Sequence, residues 1–111
     1  MKHEMKLNDL PFNKIKVGTK KIELRLNDEK RQKIKVLDKI EFTNRTTNEK
    51  MLVGVTDLFK YKDFEELYKN FTKEELGYSR DEDFSYKDME NYYSKEEINK
   101  YGVLGIKIRK I

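Results

Sequence analysis

The sequence predicts a mixed, β-rich fold: strands from both ends of the chain share one closed or nearly closed sheet, with short helices packed at its side. Three observations carry this. Apolar and charged residues alternate with period two at 20–26 and again at 103–111, the pattern of half-buried strands. Between them, Phe64, Leu67, Tyr68 and Phe71 recur at helical spacing. A terminal strand that follows helices returns to the sheet made by the first half, and closure removes the exposed edges of that sheet.

Lys6-Leu7 begins a short first element. Asn8-Asp9 offers an N-cap with Pro11 in the following turn, and a helix through Phe12 and Ile15 stops at Gly18, where a left-handed residue can end it. In the strand at 20–26, Ile22, Leu24 and Leu26 form the apolar face and Lys21, Glu23 and Arg25 the charged one. After the polar turn from Asn27 to Arg31, Ile34 and Val36 lead into a strand at 39–43, where Ile40 and Phe42 alternate with charges. Asn44 to Asn48 turns the chain into the next strand, Met51 to Phe59.

The pattern then changes. Asp63-Phe-Glu-Glu66 and Thr72-Lys-Glu-Glu75 each read as a capped helix start, the second ended by Gly77. Ser79 to Ser85 is a polar loop, and Tyr86, Met89 and Tyr93 share a helical face. Ser94-Lys-Glu-Glu97 starts a helix carrying Ile98 and Tyr101 and closed by Gly102, and the last strand turns Leu104, Ile106 and Ile108 to one side.

A length of 111 residues fits one small domain, read as 1–111. Leu, Ile, Val and Phe number 29, above the roughly one-fifth share below which chains tend to be disordered. The longest apolar stretch, Met51 to Val55, is far short of the ~18 residues of a membrane span. No signal-like segment follows the first residues, and the absence of Cys excludes disulfides, thiolate zinc sites and a cysteine nucleophile. The expectation is a cytoplasmic protein without membrane contact. No feature of the sequence sets its oligomeric state.

The net charge of +4 is unevenly spread. Residues 1–62 carry +7, residues 63–99 carry −7 and the remaining tail +4. Such polarity can steer an anionic partner, or it can reflect a solvated Lys face balanced by acidic helices. Lys outnumbers Arg 20 to 5, so each Arg is more informative than each Lys.

One strand concentrates polar chemistry. In Gly18-Thr-Lys20-Lys-Ile-Glu23-Leu-Arg25, Glu23 and Arg25 share a face and Lys20 stands at the helix-to-strand corner. A carboxylate between cations is either a structural ion pair or part of an anion-recognising pocket. The planar fork of Arg25 can hold a phosphate or a base edge. The neighbouring cations push the Glu23 pKa down, which makes it a poor general base near neutrality. His3 lies near a terminus expected to fray, which argues against a His-based triad or metal site. Asp81-Glu-Asp83 lacks the spacing of a calcium loop and reads as a solvated turn. Tyr92, Tyr93 and Tyr101 can stack on bases or fill a core, and Ser94 reads as an N-cap. Nothing implies a cofactor or a metal.

Taken in order, Leu10-Pro-Phe12, Gly18-x-Lys20-x-x-Glu23-x-Arg25, Lys30 to Gln32 and Asp38-Lys-Ile-x-Phe42 resemble the ASCH domain. Tyr61-x-x-Phe64, Tyr92-Tyr93-Ser94 and Tyr101-Gly102-Val103-x-Gly105-Ile106 extend the resemblance over nearly the whole chain. It implies a PUA-like β-pseudobarrel with short helices at its side, and an RNA-related module with a cleft lined by Lys20, Glu23 and Arg25. One branch of the family removes the acetyl group from N4-acetylcytidine with a Lys and a Thr nucleophile. Here Glu23 stands where that Thr would be, and a carboxylate does not replace a hydroxyl nucleophile. Ribonuclease activity is also attributed to some members. Two further departures are Leu37, in place of the Gly usual before Asp38, which is expected to change a turn, and Gly54, expected to mark a bulge.

The leading expectation is a small RNA- or nucleotide-binding module. Lys20, Glu23, Arg25, Arg31 and Tyr93 line its site, and Lys30 and Lys33 add positive charge nearby. Truncating Arg25 is then expected to weaken binding with the fold intact. One alternative is a metal-independent ribonuclease or amidohydrolase with Lys20 and Glu23 as catalytic candidates. The other is a protein-interaction module that docks an acidic partner on its basic barrel.

Overall fold

Alternation in the sequence sends successive side chains to opposite faces of a sheet, and in this protein both faces are covered at β2, while β1 and β3 keep a solvated outer face. A computed structural model describes residues 1–111. Its strands are β1 (Lys2–Leu7), β2 (Ile22–Leu26), β3 (Lys39–Asn44), β4 (Lys50–Tyr61) and β5 (Val103–Lys110). They lie in the order β1-β3-β4-β5-β2, with β1 and β3 parallel and every other pair antiparallel. The terminal strand does return to the sheet, between β4 and β2. The result is a mixed half-barrel with short helices: α1 (Asp9–Lys16), α2 (Phe64–Tyr68) and α3 (Lys95–Tyr101).

The hydrogen-bonded ladder stops at β1 and β2, the two edges. Side chains span the seam between them: Arg25 Nη2 donates to the Lys6 carbonyl at 3.0 Å, and Lys30 Nζ to the Glu4 carbonyl at 3.1 Å. These bonds satisfy two of the carbonyls on the β1 edge.

The inner face holds Phe42, Val53, Leu104 and Ile106 together with Phe12 and Ile15 of α1 in a cluster of 13 buried residues. The outer face of β2, with Ile22, Leu24 and Leu26, packs on Phe64 and Leu67 of α2 and Ile98 of α3 in a second cluster of nine. Gly105 of β5 lies between the layers. A Cβ there would stand 3.4 Å from Ile22 and 3.5 Å from Leu67, so the glycine permits close approach.

Several sequence expectations change. β2 is buried at all five positions rather than half-buried. Its apolar face is taken by the 64–98 layer, while Glu23 and Arg25, opposite Ile106 and Leu104, turn into the half-barrel. β1 starts at Lys2, not Lys6, because its parallel register with β3 begins at Lys2. His3 therefore does not fray: it sits in β1 with its side chain 8% exposed. Thr72 and Glu75 exchange both capping bonds, at 2.9 and 3.2 Å, yet only turns follow before Gly77 ends the segment, so no helix forms. Residues 86–91 are a 3₁₀ helix rather than α. The β4 bulge falls at Thr56, between Val55 and Asp57, and not at Gly54. Leu37 keeps a left-handed turn itself, at φ +79°. The Ser94 capping box and the Gly18 and Gly102 helix ends are as expected. No helix is long and apolar enough to cross a membrane.

Candidate functional site

The corner that carries Lys20 is built by hydrogen bonds from both sides. After Gly18 (φ +89°) ends α1, the Thr19 and Lys20 amides donate to the Lys14 carbonyl at 2.9 and 3.1 Å. The Lys21 and Ile22 amides donate to the Glu75 carbonyl, both at 2.9 Å, tying the start of β2 to the 72–77 turn. Gly77, at φ +96°, meets the Lys20 stem: a Cβ at this position would lie 2.8 Å from Lys20 Cδ. Glycine is needed there twice over, for its backbone angle and for the passage of the lysine.

Lys20 Nζ reaches Glu23 Oε1 at 2.9 Å and Arg25 Nε donates to Glu23 Oε2 at 2.7 Å. The three side chains are 9%, 4% and 11% exposed. Burial alone would raise the Glu23 pKa, but the charges and hydrogen bonds of Lys20 and Arg25 outweigh it and hold the carboxyl at about 2. Burial likewise works against the Arg25 charge, and Glu23 overcomes it, so the guanidinium pKa rises. Two cations face one carboxylate, which leaves a surplus of one positive charge. Arg25 Nη1 has no protein acceptor.

This cluster opens into a cleft of about 580 Å³ along the β1–β2 seam. Lys20, Glu23, Arg25 and Tyr93 all line it. Arg31 does not: its head group is paired with Asp28 at 2.8 Å and acts on Tyr93 only as a neighbouring charge. Lys30 is engaged at the seam, and Lys33 faces solvent. The Tyr93 ring stacks on Phe64 with centroids 5.9 Å apart, and burial pushes its hydroxyl pKa up. Tyr92, 64% exposed, is the freer ring. Tyr101 packs against the second core instead.

The cleft also contains residues that sequence reasoning missed. Lys6 and Arg45 stand exposed at its rim with no side-chain hydrogen bond or ion pair. Buried Asn44 fixes the turn that bears Arg45: its amide donates to Asp9 at 2.9 Å and its carbonyl accepts from Thr46 at 2.8 Å. The scarcity of Arg that flagged Arg25 could have flagged Arg45. Lys14 binds the Gly77 carbonyl at 2.6 Å and Glu82 at 2.8 Å, so Glu82 is no merely solvated turn residue. Tyr68, Tyr78 and Asp88 form a hydrogen-bonded chain on the opposite wall, and no local signal announces it.

The geometry revises one expectation. Arg25 bonds both Glu23 and the Lys6 carbonyl, so truncating it takes away one of the two cations that hold an enclosed carboxylate and cuts the seam. Loss of binding in such a variant mixes with loss of stability.

The family model described as ASCH domain matches residues 5–111. The crystal structure of a hypothetical protein, PH0355, is similar at 34% identity with a TM-score of 0.85, covering 100% of both chains. The solution structure of protein PF0455 from Pyrococcus furiosus is 33% identical with a TM-score of 0.72, covering 100% of this chain and 98% of that one. A mutant of ZmASCH from Zymomonas mobilis shares the fold at 14% identity, with a TM-score of 0.68 over 97% of this chain and 67% of that one. No curated protein matches.

Proposed function

The chain belongs to the ASCH domain family, and on that premise we propose that it is an RNA- or nucleotide-binding module whose ligand enters the cleft beside Lys20, Glu23 and Arg25. The observation that carries this reading is the unequal commitment of the cations. Lys20 and the Nε of Arg25 are taken up by Glu23, while Arg25 Nη1, Lys6 and Arg45 are left without acceptors around the same cleft. Uncommitted cations around a concave site suit phosphate oxygens. Glu23, with a pKa of about 2, orients Arg25 and is a poor proton acceptor at neutral pH. That favours binding over acid–base catalysis at this position.

Fluorescence anisotropy of labelled single-stranded and stem-loop RNA over a salt series tests it, with the same samples run afterwards on a denaturing gel. Binding is expected to weaken steeply with salt and to leave the RNA intact. The Lys6→Ala, Arg45→Ala double variant touches no internal hydrogen bond. It should keep wild-type stability and flatten the logarithmic salt slope by about 1.4 on single strands, ~0.7 for each phosphate no longer neutralised. An unchanged slope defeats the reading. RNA shortened in a manner dependent on Glu23 or Lys20 transfers the site to the nuclease alternative.

A further inference from the structure

The two walls of the cleft carry opposite charge. The wall from β1, α1, β2 and the β3–β4 turn presents Lys6, Lys14, Lys20, Arg25 and Arg45 against the single carboxylate of Glu23. The wall from residues 68–93 presents no cation and two carboxylates, Glu82 and Asp88. The polarity along the chain thus converges across one concave site.

The two carboxylates differ in what they have left to offer. Glu82 Oε1 accepts from Lys14 Nζ at 2.8 Å and from the Ser79 amide at 2.7 Å, which anchors the loop. Asp88 Oδ2 accepts from the Tyr78 hydroxyl at 2.7 Å, and its Oδ1 accepts nothing from the protein. The Tyr78 and Tyr68 hydroxyls are 2.8 Å apart. The Tyr78 hydroxyl also lies 3.1 Å from the Ser85 carbonyl, but its one proton goes to the nearer and charged acceptor, Asp88, so Tyr68 donates to Tyr78. Tyr68 is buried and stacks on Phe84 at 5.0 Å. The Tyr68–Tyr78 pair therefore holds the exposed Asp88 carboxylate with one acceptor oxygen free, and the exposed ring of Tyr92 lines the same cleft.

Resting on the nucleotide-binding reading above, we propose that Asp88 makes this cleft select an unstacked nucleotide whose base carries an exocyclic amine, with the phosphate on the cationic wall and the amine donating to Asp88 Oδ1. An amine donates a charge-assisted hydrogen bond to that oxygen, whereas a keto oxygen at the same ring position sets two acceptors against each other. Selection thus has an attractive and a repulsive component. A volume of about 580 Å³ lies in the range of small-ligand pockets rather than duplex grooves. The exposed Tyr92 ring suits an unstacked base.

Calorimetric titration with AMP against IMP, and CMP against UMP, tests this, since each pair exchanges an amine for a keto group and, with it, the adjacent ring nitrogen from acceptor to N–H donor. The amine-bearing member is expected to bind about tenfold more tightly in both pairs. Asp88→Asn keeps an oxygen for the Tyr78 hydroxyl and turns its amide NH2 to the base, so the preference should invert toward the keto-bearing member, which gains affinity over wild type. Asp88→Ala, which removes the acceptor and adds no donor, should bring both ratios to about one. Wild-type ratios within about twofold, or ratios that survive both variants, overturn the proposal. If none of the mononucleotides binds while RNA binding still depends on Lys6 and Arg45, the proposal falls and the nucleic-acid reading stands. If RNA does not bind either, the reading itself has failed.

Discussion

Glu23 and Asp38 are two enclosed carboxyl groups, each held at a pKa of about 2, and they reach it by different means. For Glu23 burial is the largest influence and acts upward; two full cations, Lys20 and Arg25, reverse it. For Asp38 hydrogen bonds lead: His3 Nε2 at 2.8 Å and the Lys35 amide at 3.0 Å, with the Met1 amine at 3.3 Å adding less. Glu23 opens on a cleft and leaves a surplus positive charge there; Asp38 and His3 line no part of it. The Asp38 group staples β1 to the turn before β3. A depressed carboxyl pKa therefore does not distinguish the cleft from the staple; surplus charge next to a concavity does.

Removing the two carboxylates should break the symmetry between them. Glu23→Ala leaves Lys20 and Arg25 enclosed together without a counterion, and a loss of about 3–5 kcal/mol is expected. Asp38→Ala removes an acceptor from His3 and the Lys35 amide, for a loss of about 1–2 kcal/mol. Urea unfolding of the two variants measures both; equal losses would erase the difference between an ion cluster and a hydrogen-bonded staple.

Acid sharpens the comparison. Both groups have folded pKa values below their unfolded ones, so the stability they contribute is complete above the unfolded value and is lost as pH falls toward about 2. The stability gap between wild type and Glu23→Gln should narrow from about pH 4.5 down to about 2, and that for Asp38→Asn from about 3.8 down to about 2. A gap that stays flat through these windows contradicts the ion-pair account of Glu23 or the hydrogen-bond account of Asp38.

The smallest effect concerns the turn beside Asp38. Leu37 is 87% exposed and holds φ +79° with no packing to compensate. Leu37→Gly is expected to stabilise the protein by about 1 kcal/mol, seen as a higher urea midpoint with an unchanged slope, while leaving the cleft untouched.

Much of the fold was legible in local patterns. Alternation located β2, β3 and β5, helical spacing located α2, and Ser94-x-x-Glu97 marked the start of α3. Lys20, Glu23 and Arg25 stood out because an Arg and a carboxylate share one strand face in a Lys-biased chain. The Thr72–Glu75 capping box misled because its bonds form without a helix to follow. A cap satisfies the first amides of a turn but supplies none of the packing that sustains a short helix in water.

Period-two alternation by itself determined that Glu23 and Arg25 share one face of β2 and Ile22, Leu24 and Leu26 the other. Only the tertiary structure decided what covers each face. Phe64, Leu67 and Ile98 bury the apolar side, and β5 and the β1 seam enclose the charged side. The same is true of Lys6, Arg45 and Asp88, which meet at one cleft from distant parts of the chain. Side-chain direction is set by the backbone within a few residues, whereas burial and charge pairing depend on contacts between segments far apart in sequence. That is why the residues of the ion cluster could be read from the sequence and the cleft they open into could not.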